Sequence, residues 1–424
     1  RGLGDVYNRQ LNILLLLNIL PLIKLFNAGG ARLREFGLPL IEFDTQSCIA
    51  EAQRKTGLQD FGDTTFLEPL QILMEACEQE ANLSMVGRLA VKNETIRLLT
   101  NRLQLIQDRK THDGIEQERI KAPIIILGLP RTGSTLLHNL LAQDPTNRVP
   151  RLWETMTPSP PPGHPHSSAE PRIQHTNKLL KGFYLAAPKF KIVYPMTALD
   201  PAECVTMMAH SFSSAQFQST YHIPSYQKWL ANAVLHRAYV EHRQFLQHLQ
   251  WNYQPQQWVL KAPPHIFAPE ALLSVYPDAK VIQTHRSPYA VLGSVASFDA
   301  ILRQTFSRSV DPQQIGQEAL SQWSQAVQLF MNFRDSQATN NSQFYDMLYT
   351  NLSQNPIEAI RKMYAHFGLT LTNRAEQNMK EFSKKNFKHK HGEHRYSLSQ
   401  YGLNEAQISS HFKAYMHRYK LDAS

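Results

Sequence analysis

Cysteine is scarce in this chain, with three in 424 residues: Cys48, Cys77 and Cys204. An odd number so widely spaced argues against a disulfide framework and against a zinc knuckle, which leaves buried free thiols as the reading. Long runs of one charge are also missing. The chain carries 44 Lys and Arg against 35 Asp and Glu, a formal net charge of +9, which suits an anionic ligand. Because the basic residues are scattered, a phosphorylated small molecule ranks above a nucleic-acid surface. There is no internal repeat and no extended low-complexity tract. An uninterrupted membrane span is lacking as well. Residues 11–26 (LNILLLLNILPLIKLF) are apolar but broken by Asn18, Pro21 and Lys24, which is short for a bilayer crossing. They fit an interfacial helix, a signal-anchor remnant or a helix that docks on the core, and the sequence leaves these open. Membrane association through this segment is one expectation, although a cytoplasmic, soluble enzyme is favoured over a secretory-membrane one. Sequons at Asn82, Asn93, Asn340 and Asn351 would matter only in the second case.

What is present is the pattern of an α/β protein. Apolar residues at helical spacing from about residue 66 to 107 predict a helical N-terminal region. The β-branched run Ile124-Ile125-Ile126 is followed at once by a glycine turn and an apolar helix. Residues 258–262 and 280–285 repeat that order, with helices expected near Phe267 and Pro288. Residues 344–349 read as a further strand leading to a helix at 356–367, and 231–251 read as one long helix. Buried parallel strands appear as continuous apolar runs joined by crossover helices. The expected fold is therefore a P-loop-like, mostly parallel sheet flanked by helices, with a helical N-terminal extension. The expected division is an apolar segment at 1–30, a helical region at 31–118 and an α/β domain at 119–424. The proline-rich stretch 158–165 is a loop, a connection or lid.

The loop Gly128-Leu-Pro-Arg-Thr-Gly-Ser-Thr135 has the spacing of a phosphate cradle, where backbone N–H groups and a helix N-terminus face an anion. A triphosphate-binding loop would follow its second glycine with Lys, but Ser134 and Thr135 stand here. The positive charge comes earlier, at Arg131, whose guanidinium can fork onto phosphate or sulfate oxygens without a metal. The strand ending at His285 continues with Arg286 and lacks the acidic residue that a magnesium site wants.

These residues resemble the sulfotransferases that use 3′-phosphoadenosine-5′-phosphosulfate (PAPS), in particular the broad branch whose loop reads close to GxPRTGTT. The resemblance spans about residues 85–420. In the cytosolic members the loop reads Lys-Ser-Gly-Thr, so Arg131 stands at their lysine, Thr132 at their serine and Ser134 at their threonine. It implies that Gly128, Pro130, Arg131, Thr132, Gly133, Ser134 and Thr135 hold the 5′-phosphosulfate. It also implies that an Arg and a Ser eight residues apart hold the 3′-phosphate, and Arg286 and Ser294 have that spacing. Alone, that pair would read as a surface Arg and a helix-buried Ser. Tyr349 matches a tyrosine that packs near the adenine, with plain core as its alternative. The segment Lys390-His391-Gly392 resembles a late loop that closes on the 3′-phosphate; metal binding by His389, His391 and His394 ranks below it, and no metal is expected.

Sulfuryl transfer needs an in-line acceptor, a base for its proton and cations for the leaving phosphate. Lys261-Ala-Pro-Pro-His265 resembles the family's Lys-Ser-Pro-x-His element. Lys261 is expected at the bridging oxygen, and His265 as general base, with Glu203 as the substitute. The lysine and histidine are four residues apart here against two in the cytosolic branch, so their geometry does not carry over. The acceptor is a small molecule or glycan offering a hydroxyl or amine, and Trp153, Phe183, Tyr184, Tyr194, Phe212 and Tyr221 are candidates for an apolar pocket. Oligomeric state is not legible. The competing readings are a P-loop phosphotransferase and a non-catalytic nucleotide-binding scaffold.

Overall fold

The computed structural model describes residues 21, 25–30, 32, 36, 41–164, 167–253, 257–337, 342–385 and 396–421. Lys390, His391 and Gly392, most of the 11–26 segment and the histidines at 389, 391 and 394 lie outside the described residues. The N-terminal region is helical: α1 (Thr45–Thr56), α2 (Leu67–Gln79) and α3 (Met85–Thr111). Caps explain two of these starts. Asp44 accepts from the Gln46 and Ser47 amides, and Ser84 accepts from Gly87 N–H, which satisfies donors that a helix's first turn leaves open.

Five strands form one sheet in the order β2-β3-β1-β4-β5, every pair parallel: β1 (Ile124–Gly128), β2 (Asn147–Arg148), β3 (Gln257–Lys261), β4 (Lys280–His285) and β5 (Phe344–Leu348). The expected α/β fold is the one observed, with the two-residue β2 as an addition too short to leave a sequence signature. All five β1 residues are buried. Ile125 and Leu127 join Trp258, Leu260 and Val281 in the core on one face. Ile124 and Ile126 join Val259, Ile282, Met363 and Met379 on the other. This two-sided burial is why the strands read as continuous apolar runs.

β1 is followed by helix α4 (Ser134–Leu141), while β3 and β4 pair on either side of β1. The chain crosses over β1 between β3 and β4, so the loops after β1, β3 and β4 meet at the C-terminal edge. That is where open α/β sheets hold ligands.

One helix departs from expectation and another gains a preceding turn. The helix expected at 231–251 is two, Pro224–Asn232 and His236–Gln250. Asn232 ends the first by turning its side-chain amide onto Lys228 O, and Ala233 is extended, a local bond that competes with helix continuation. The helix expected to begin near Phe267 begins at Pro269 (Pro269–Val275), after a 3-10 turn at Pro263–Phe267; a proline in the first helical turn costs no hydrogen bond, because that turn's N–H groups are unpaired in any case.

Candidate active site

The glycine loop is built by backbone geometry that few residues tolerate. Gly128 has φ +128°, and a Cβ there would lie 2.6 Å from Thr284 O of β4, so side chains are excluded. Arg131 is left-handed at φ +61°, and Gly133 at φ +86° caps α4. This turn points the α4 N-terminus at the loop's concavity. Thr132 is fully buried, donating to Leu129 O at 2.7 Å and lying 2.6 Å from Thr284 Oγ1. Its side chain tethers the loop to β4, leaving only its backbone for a ligand. Pro130 and Gly133 are half-buried, Ser134 is buried and Thr135 is exposed.

Arg131 Nε donates to Ser294 Oγ at 3.1 Å, and Arg286 donates to Arg131 O at 3.1 Å. The Arg286 guanidinium lies 4.3 Å from the Tyr349 ring centre, and Tyr349 is the residue a Cβ at Gly133 would meet at 3.0 Å. Four residues expected to hold donor groups are thus gathered around the loop. Ser294 is on α5 (Pro288–Phe306), two turns in, and Arg286 leaves the end of β4. Tyr396 donates to Ala290 O and packs at Gly293, the neighbour of Ser294 in sequence.

Lys261 ends β3 in register with Ile126 of β1. Its ammonium is buried, forms an ion pair with Glu203 and lies 3.4 Å from Thr135 Oγ1. Burial opposes that charge, but Glu203 and Tyr194 more than offset it and hold the Lys261 pKa above its ordinary value. Tyr194 donates to Glu203 Oε1 at 3.0 Å. Burial pulls the Arg131 pKa down, while Tyr396, Tyr194 and Glu203 oppose it and Arg286 adds to it. Those interactions join the glycine loop electrostatically to the Lys261–Glu203 pair.

His265 is not part of this cluster. The 3-10 turn after β3 carries its ring to 1% exposure, with Nδ1 2.8 Å from Tyr239 Oη and the His242 ring centre 6.2 Å away. Its Nε2 has no hydrogen-bond partner among the described residues, and burial pushes its pKa down to about 3. The described geometry therefore sets the His265 ring against Tyr239 and His242, apart from the Lys261–Glu203 pair beside the glycine loop. Of the pocket candidates, Tyr194 adjoins Glu203, whereas Phe212 and Tyr221 are buried core. Sequence reasoning missed Thr284 as the tether and Tyr194 as a hydrogen-bond donor; only the latter's place in the aromatic stretch 183–194 offered a signal.

The catalytic chemistry open to this arrangement is transfer of an anionic group held by a cationic cradle. Residues 123–373 match the model of the sulfotransferase family, and the chain belongs to that family. Its similarity to solved structures agrees. It resembles sulfotransferase STF1 from Mycobacterium tuberculosis H37Rv at 30% identity and TM-score 0.78, over 88% of this chain and 98% of that one. It also resembles sulfotransferase STF9 from Mycobacterium avium at 25% identity and TM-score 0.81, over 89% and 97%. Among curated proteins, the omega-hydroxy-beta-dihydromenaquinone-9 sulfotransferases Stf3 of Mycobacterium bovis and Mycobacterium tuberculosis are 26% identical over 267 residues. That match covers 58% of this chain and spans 63% of the relatives' length. No helix among the described residues is long and apolar enough to cross a membrane, and none of their side-chain groups forms a three-ligand metal cluster.

Proposed function

We propose that this chain transfers the sulfuryl group of PAPS to a hydroxyl of an apolar small-molecule acceptor, with Glu203 as general base. The observation that carries this reading is the Lys261–Glu203 ion pair beside the glycine loop. On this reading the loop amides from Arg131 to Thr135 and the α4 N-terminus hold the 5′-phosphosulfate. Arg286 and Ser294 hold the 3′-phosphate, and the Tyr349 ring supports the adenine. Arg131 forks onto sulfuryl oxygens, where its fixed charge suits charge developing in the transition state.

The acceptor oxygen attacks sulfur as the bond from sulfur to the bridging oxygen breaks, giving a sulfate ester and adenosine 3′,5′-bisphosphate. Lys261 neutralises the departing phosphate oxygen, and the acceptor's proton passes to Glu203. An apolar acceptor is favoured because the wall beside Glu203 is aromatic: Tyr194 packs against Phe190 and Phe298, both at 6.0 Å between ring centres. The curated relatives are named for a hydroxylated menaquinone, which agrees with that wall.

Turnover of labelled PAPS with a panel of apolar alcohols, phenols and glycans tests the acceptor, and Glu203→Gln tests the base. Loss of a positioned general base costs about 10²–10⁴-fold in rate, so kcat is expected to fall by that much while calorimetric PAPS affinity holds. Unchanged kcat in Glu203→Gln would remove Glu203 from the chemistry.

A further inference from the structure

Lys261 is asked to do two things at once. It pairs with Glu203 Oε1, and it also stands 3.4 Å from Thr135 Oγ1 at the edge of the glycine loop. A lysine that swings to a leaving oxygen at that loop weakens its hold on the carboxylate. The same carboxylate oxygen has a second donor, Tyr194 Oη, at 3.0 Å. Among the described residues Oε2 accepts no hydrogen bond, so it is the oxygen open to an acceptor's proton.

From this sharing we infer that Tyr194 is the positioning residue of the catalytic base: its hydroxyl keeps Glu203 oriented, with Oε2 free, when Lys261 turns to the donor. The inference rests on the reading of Glu203 as base. Tyr194 is suited to the task. It follows directly on helix Pro188–Val193, and its ring is wedged between Phe190 and Phe298, so the hydroxyl arrives on a fixed platform. Burial pushes its pKa up, with Lys261 opposing and Glu203 adding, which keeps the hydroxyl protonated as a donor at neutral pH. The titratable groups facing Glu203 are Tyr194 just after this helix, Lys261 from β3, Arg131 from the glycine loop and the buried Cys204 next in sequence.

The test is a cycle of Tyr194→Phe, Glu203→Gln and the double variant, with kcat, KM for the acceptor and PAPS affinity measured for each. Phenylalanine keeps the ring packing, and an unchanged melting temperature checks that it does. Because a hydrogen bond to a charged group is among the stronger kinds, Tyr194→Phe is expected to lower kcat about tenfold with PAPS affinity unaltered. In the Glu203→Gln background the same change should cost nothing further in the residual rate. A parent-like kcat in Tyr194→Phe, beside an impaired Glu203→Gln, would overturn the inference while leaving the base in place. So would a full Tyr194→Phe loss persisting in the double variant. Parent-like activity of Glu203→Gln would instead overturn the reading beneath it.

Discussion

At the scale of single residues, environment outranks identity. Lys261 and His265 are four positions apart, both are 1% exposed, and both lie in or just after β3. Lys261 has a carboxylate and stays charged; His265 has a tyrosine hydroxyl and a second imidazole, and burial holds it neutral. His265→Ala is accordingly a stability variant. It opens a cavity and leaves Tyr239 Oη without this partner, at a cost of about 2–4 kcal/mol, measurable by urea denaturation. Turnover per folded molecule should stay near that of the parent; a collapse of turnover at unchanged stability would return His265 to the mechanism.

At the scale of elements, the edge of the sheet next to the donor site is fastened by a polar network. Tyr415 and Tyr419 belong to the last helix, Glu405–Tyr419, and close over His285 at the end of β4. Burial holds the His285 pKa below its ordinary value, so the neutral ring donates from Nε2 to Asp346 at 2.9 Å and accepts from Tyr415 at Nδ1, also at 2.9 Å. Arg334 supplies the cation. Burial alone would raise the Asp346 pKa, but His285 and Arg334 prevail and hold it down at about 2. A carboxyl lowered in the folded state stabilises above its unfolded value near 4 and ceases to do so as pH falls through about 2. Asp346→Asn should therefore destabilise at pH 7, with a gap to the parent that narrows as pH falls from about 5 towards 2. The gap should be modest, because 38% of the Asp346 side chain is exposed. A pH-independent gap in denaturation midpoint would assign the effect to packing.

At the scale of the whole molecule, the N-terminal helices and the α/β layer share cores. Phe66, Leu70, Leu73, Leu98 and Leu99 pack in one cluster with Phe212, Phe217, Tyr226 and Phe306. Arg102 of α3 reaches Glu241 and the His210 carbonyl. We propose that the expected boundary near residue 118 is a change of texture in the sequence and no seam in the folded protein. A chain beginning at residue 119 would expose Phe212 and Tyr226, and exposed apolar patches promote association. It is expected to aggregate on size-exclusion chromatography and to lose its cooperative melting transition. A monodisperse, cooperatively melting product would make the helical region an accessory.

The sequence by itself determined the features that are local. Consecutive β-branched residues before a glycine that no side chain can replace, and an Arg and Ser spaced by one strand end and two helical turns, are short-range patterns. Short-range sterics and periodicity write them directly into the chain. The sheet's mostly parallel character was legible in the repeated order of apolar run, turn and helix, while its strand order was not. The tertiary structure alone decided which base candidate meets the loop. Glu203 lies 58 positions from Lys261, and Tyr194 a further nine before it. Contacts of that span arise only when loops converge at the sheet edge. Burial, which neutralises His265 and leaves Lys261 charged, is a property of the packed molecule and of no segment alone.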